Sequence, residues 1–148
     1  MLVRTLKTVL ISGKLACLLG ACVQQASGFR GQLPRLEQGL LALPQGQRIQ
    51  VYKAQTRSAH VQGLSLVHPE HFGPDQGMFF SYPRSGTRVF CMRHTYMDLD
   101  IFFLDQRLCV IAVERDLPHE LGPDGTKAAA RTKPVHCRYV LEMRADSA

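Results

Sequence analysis

The run Leu99-Asp100-Ile101-Phe102-Phe103-Leu104 constrains this chain more than any other segment. Successive side chains of an extended segment point to opposite faces, and here both faces are apolar except at Asp100. Such a run needs cover on two sides, which predicts a central strand. Other short segments surround it. Residues 48–52 alternate polar and apolar, the period of a half-buried strand. Residues 78–82 are an apolar strand, and Pro83-Arg84-Ser85-Gly86 predicts a turn into a hairpin partner at 88–94, with Pro presetting φ and Gly accepting a positive φ. Residues 105–107 are a tight connection to a strand at 108–113, and 138–143 form a last strand. Thr56 caps a short helix running toward Leu66 through Ala59, Val61 and Leu64. Residues 118–133 are polar and contain Gly122-Pro123-Asp124-Gly125, a long exposed loop. The predicted class is mainly β (α+β): a small barrel-like or strongly twisted antiparallel sheet with one short helix.

The N-terminus has a different character. Arg4, Lys7 and Lys14 precede the apolar stretch 15–21, the pattern of a secretory signal over residues 1–22. Leu19-Gly20-Ala21-Cys22 resembles the bacterial lipobox, in which small residues let the chain enter the peptidase and the cysteine thiol takes the lipid. Cys22 is then the lipidation site and the membrane is reached through that anchor. Val23 after it matches the pattern sorted to an outer membrane, on its periplasmic face, in a host that has one. Residues 23–46 read as a tether, with a short helix predicted over 35–42 between Pro34 and Pro44. Residues 47–148 form a single β-rich domain. No apolar run approaches the 18 or more residues of a spanning helix.

Charge narrows the partners. The chain carries 18 Lys and Arg against 12 Asp and Glu, and three of the basic residues belong to the leader. The rest are interspersed, which does not point to nucleic acid. Cysteine and histidine do not pair convincingly into a metal site. Cys91 and His94 lie three apart on a segment read as extended, so they face opposite ways, and Cys109, His136 and Cys137 lack zinc-ligand spacing. No metal and no cofactor is expected. Cys91 and Cys109 are expected as buried thiols, with at most one disulfide among Cys91, Cys109 and Cys137.

Asp100 is the odd residue, a carboxylate inside an apolar run. Buried, it needs donors or marks a site. Arg57 and Arg93 are candidate partners, and Thr95 a candidate donor. One reading is a structural network that fixes the turn at 95–98. The other is the polar floor of a ligand pocket lined by Met78, Met92 and Met97 with Phe79, Phe90 and Phe103. The candidate polar site is therefore Arg57, Met92, Thr95, Asp98 and Asp100. Asp98 and Asp100 share a strand face at a spacing that glycosidase carboxyls also use. There is no Gly-x-Ser-x-Gly elbow and no phosphate-cradling glycine loop.

The ordered set Arg57, Gly63-Leu64, the 75–80 block Asp-Gln-Gly-Met-Phe-Phe, the 90–95 block Phe-Cys-Met-Arg-His-Thr, the 99–105 block and the strand 138–142 resembles domain-of-unknown-function family 192. The chain departs from the family pattern at Cys91, where Trp is usual, and at Asp98, where Pro is usual. The resemblance implies a small β-rich domain across roughly residues 48–143 and no established biochemical role. Together with the leader, it suggests an exported, lipid-anchored envelope protein that binds a small ligand or another envelope protein without being an enzyme. The alternative is an envelope enzyme acting on a glycan through Asp98 and Asp100.

Overall fold

The computed structural model describes residues 33, 35–44, 46–119 and 129–147. Its core is one six-stranded sheet: β1 (Glu37–Ala42), β2 (Arg48–Ala54), β3 (Gln76–Arg88), β4 (Leu99–Leu104), β5 (Val110–Leu117) and β6 (Val135–Arg144). The spatial order is β1-β2-β3-β6-β4-β5. A single α-helix, α1 (Arg57–Gln62), and a 3-10 turn at Pro69–His71 lie in the β2–β3 connection. The mainly β class with one short helix is thus observed. The sheet stays open, with β1 and β5 as its edges, so it is not a closed barrel. It is mixed rather than wholly antiparallel, because β2 and β3 run parallel. That follows from the long crossover that carries α1, since parallel neighbours cannot be joined by a tight turn.

Two apolar layers flank the sheet. The larger packs Met78, Phe80, Leu99, Ile101, Phe103 and Val140 against Ala59, Leu64, Val67, Phe72 and Met92 from α1 and the long connections. The smaller crosses the opposite face through Leu41, Ile49, Val51, Leu104, Leu141 and Met143. β4 lies between β6 and β5, as its two-sided apolar pattern requires.

Three local expectations are corrected. Residues 37–42, inside the span read as a tether and as a helix over 35–42, form β1, paired antiparallel with β2 from Glu37↔Lys53 to Ala42↔Arg48. Edge pairing to β2 wins over the weak helical spacing of its leucines. The hairpin predicted around Pro83–Gly86 is absent: β3 continues through it and pairs with β6 on both sides, Ser81↔Tyr139 and Gly86↔Cys137. Four residues of β3 thus face only Arg138, a large bulge. Arg138 Nη1 donates to the Pro83 carbonyl within it. Gly86 has no positive φ; the turn chemistry went into a bulge. Third, Cys91 and His94 do not sit on one strand. Cys91 forms an isolated bridge with Arg131, and His94 takes φ +57° in a turn.

Asp100 finds its donors elsewhere than expected. The β4–β5 register places Asp100 alone opposite two residues, Arg115 and Asp116, a second bulge. Asp116 adopts φ +50°, and its N–H donates to Asp100 Oδ1 at 3.0 Å. Arg115 Nη1 donates to Oδ2 at 2.5 Å. Both carboxylate oxygens serve the bulge. Arg57, at the start of α1, is exposed and is not the partner. Removing the Asp100 carboxylate leaves a bulge N–H without an acceptor. Asp100→Ala is expected to lower unfolding free energy by about 2–3 kcal/mol, while Arg57→Gln changes it by less than about 0.5 kcal/mol, both read from urea midpoints.

The described thiols are unpaired: Cys91 exposed, Cys109 half-buried, Cys137 buried. Cys91 was expected inside; the bridge to Arg131 turns it outward. Burial also pushes the Cys137 thiol up. Under native conditions a thiol reagent should label Cys91 first, Cys109 more slowly and Cys137 only after unfolding, as peptide mass mapping would show.

Candidate functional site

α1 begins where Thr56 Oγ1 accepts from the Ala59 N–H at 3.2 Å, and ends at Gly63, whose φ of +50° favours glycine. The helix is pinned by His60. Its Nε2 lies 2.9 Å from the Ala54 carbonyl and 3.1 Å from the Ser81 carbonyl. Both partners only accept, so Nε2 carries the proton. The ring also packs on Tyr82, with centroids 4.4 Å apart. Beyond Gly63, Leu66 N–H donates to the His94 carbonyl at 2.7 Å, and Ser65 Oγ to the Arg93 carbonyl at 3.0 Å. Leu66 and His94 both have positive φ, at 64° and 57°. Strained backbone of this kind persists where surrounding structure holds it.

These links frame a cleft of about 220 Å³ between residues 60–65 and the end of β3 with the segment after it. His60, Leu64, Tyr82, Arg88, Phe90 and Thr95 line it, with Phe80 and Glu142 beneath. Glu142 is the notable group. β6 pairs it with Met78 on one side and Ile101 on the other, both fully buried. It is 6% exposed, and Oε2 has no hydrogen-bond partner. Burial alone raises its carboxyl from 4.5 to about 8. Gly63 backs this oxygen: a Cβ there would lie 3.8 Å from Oε2 and 3.4 Å from the Phe80 ring. Tyr82 is pushed up to about 12, mainly by burial, with Arg88 opposing.

Of the candidate polar site Arg57, Met92, Thr95, Asp98 and Asp100, only Thr95 lines this cleft. Met92 is 2% exposed in the core, Arg57 is on the surface and Asp100 serves the β5 bulge. Of the expected apolar lining only Phe90 takes part; Met78, Met92, Met97 and Phe103 fill the core, and Phe79 lies in the layer on the opposite face. Asp98 borders a separate, open hollow with Tyr96, His119, Arg144 and Asp146. Its Oδ1 accepts from the His119 N–H at 2.8 Å and lies 2.5 Å from His119 Nδ1. These bonds, the backbone one foremost, hold the Asp98 carboxyl below its usual range. Arg144 is spent there on Asp146 and on the Pro69 and Phe72 carbonyls. Cys22 and the leader lie outside the described residues. Glu142 was missed, although its signal matches that of Asp100: an acid inside the apolar stretch Val140-Leu141-Glu142-Met143. Among the described residues no cluster of His, Cys, Asp or Glu could hold a metal.

An open mixed sheet with one crossover helix and a cleft beneath it defines a small β-rich domain. The sequence profile of DUF192, described as "Uncharacterized ACR", matches residues 41–148, so the chain belongs to domain-of-unknown-function family 192. No curated protein matches it. Two solved structures are similar. One is a Sinorhizobium meliloti 1021 protein designated a candidate transcription regulator, 26% identical over 68% of this chain and 71% of its own, with a TM-score of 0.53. The other, from Novosphingobium aromaticivorans DSM 12444 and of unknown function, is 18% identical over 85% of this chain and 89% of its own, with a TM-score of 0.60. The latter supports the fold alone.

The Glu142 carboxyl dictates a pH dependence. Unfolded, it ionises near 4.5; folded, it keeps its proton to about 8. Between those values the native state binds more protons than the unfolded state, so stability falls as pH rises from 4.5 to about 8 and then levels. The loss should be on the order of a few kcal/mol, seen in urea unfolding at stepped pH. Glu142→Gln should flatten that slope.

Proposed function

We propose that the domain is a non-enzymatic small-ligand-binding module and that the cleft beneath α1 receives a ligand bearing an ammonium group, seated on Glu142. The observation that carries this reading is the buried Glu142 Oε2 without a partner at the floor of an accessible cleft. An unsatisfied buried carboxyl is costly, and a ligand that supplies the missing donor relieves that cost. Burial raises the Glu142 carboxyl, and an ammonium on the ligand supplies the missing donor with a compensating charge. The cleft's lining is predominantly polar, with Leu64, Phe80 and Phe90 as the apolar part, which suits a small charged ligand.

The glycan-enzyme alternative draws less support. Asp98 is held ionised by His119, and both oxygens of Asp100 are engaged, which leaves that pair without a general acid. Nor does the designation of the Sinorhizobium protein carry nucleic acid over to this chain, whose charges are interspersed.

The binding test uses the full chain and 3-methylbutylamine as probe. Calorimetry at pH 7 should show binding with proton release, because an ammonium beside Glu142 favours its ionised form. Glu142→Gln should fold, melt at or above the wild-type temperature, and lose binding. Equal binding by wild type and Glu142→Gln would overturn the reading.

We also propose that the domain works at the cell envelope, exported and held on the membrane by a lipid on Cys22. The support is the basic, then apolar, then Leu-Gly-Ala-Cys order of residues 4–22. Stable anchoring takes two acyl signals or more, which a lipidated N-terminal cysteine provides. Cys22→Ser is expected to shift the protein to the soluble fraction or leave the precursor unprocessed. A mature-sized variant still sedimenting with membranes would count against lipidation.

A further inference from the structure

A second orphan polar atom belongs to Arg88, which lines the same cleft. Arg88 Nε is buried and has no hydrogen-bond partner. Among the described residues, the side chain's hydrogen bond is from Nη2, which donates to the Arg84 carbonyl at 3.2 Å. The guanidinium is nonetheless held in place. It lies 3.9 Å over the Tyr82 ring, and a Cβ on Gly86 would come within 3.2 Å of Nη2, so glycine there makes room for it. A planar guanidinium fixed by stacking is preorganised for a carboxylate.

The cleft therefore offers one unsatisfied acceptor, Glu142 Oε2, and one unsatisfied cationic donor, Arg88 Nε. No hydrogen bond or ion pair joins the two groups. They line one hollow yet remain apart, so a molecule that bridges them must carry both complements. Leu64, Phe80 and Phe90 supply the apolar part of a lining that is otherwise mostly polar. A hollow of about 220 Å³ is below the size of pockets for drug-sized ligands.

We infer that the cleft binds an amphoteric small molecule of amino-acid type, its ammonium on Glu142, its carboxylate on Arg88 and an apolar side chain against Leu64 and Phe90. This rests on the reading of the cleft as a ligand site. The two fixed charges set orientation, and an analogue lacking either end leaves one of them stranded.

The test compares three probes on the full chain by calorimetry: L-leucine, 3-methylbutylamine, which lacks the carboxylate, and 4-methylpentanoate, which lacks the ammonium. Leucine should bind at least about tenfold more tightly than either, the scale of one charge-assisted hydrogen bond. Arg88→Gln should bring leucine down to the affinity that the same variant shows for the amine. Arg88→Lys keeps the charge without the planar donor edge, and should lose about tenfold for leucine by the same scale. Thermal unfolding of each variant checks that it folds. Should the amine match leucine, with Arg88→Gln without effect on either, the amphoteric inference falls while the ammonium site stands. Should none of the three bind, both fall.

Discussion

A carboxylate held between two apolar neighbours governs this domain. β6 is hydrogen-bonded on both sides, and its register sets Glu142 beside Met78 on β3 and Ile101 on β4. Neither ladder can slip by one residue without turning every apolar side chain of β6 to the wrong face. Glu142 therefore cannot move away from its dry surroundings, and its free oxygen stays beneath α1. The structure above it leaves a cleft over that buried oxygen. Gly63 ends the helix without a side chain, and His60 fixes the helix to the carbonyls of Ala54 and Ser81.

The sheet carries another buried acid, and the contrast is instructive. Asp100 and Glu142 both interrupt apolar strands, yet they differ in what meets them. Asp100 faces a β5 bulge that supplies an N–H and a guanidinium, so its cost is offset within the chain. Glu142 is paired in register with the apolar Met78 and Ile101 and lies at a cleft, with its Oε2 unpartnered. A group satisfied by its own fold contributes to architecture. A group left unsatisfied beside a cleft is kept at a cost to stability, as binding sites commonly are.

Much of the architecture was legible in sequence because it rests on local pattern. The two-sided apolar run at 99–104 marked an inner strand, Thr56 marked the helix start, and the ordered blocks marked the family. What failed depended on partners far along the chain. Nothing local distinguishes Pro83–Gly86 as a turn from the same residues as a bulge opposite Arg138. β1 is recognisable only by its pairing with β2. The anomaly of an acid in an apolar strand was readable twice. It was followed at Asp100, whose carboxylate meets donors from the β5 bulge, and passed over at Glu142, because burial on both sides shows only once β6 is placed between β3 and β4.

The bulge at residues 82–85 has a consequence for how such a domain diversifies. Regular pairing resumes on each side of it, so an insertion or deletion there is absorbed without disturbing the ladder that holds Glu142. Tyr82 lies within that segment and Arg88 closes the strand after it. One wall of the cleft is therefore free to vary in length and chemistry while its floor stays constant. Descendants of one ancestral fold can in this way acquire different ligand preferences through changes confined to a handful of codons.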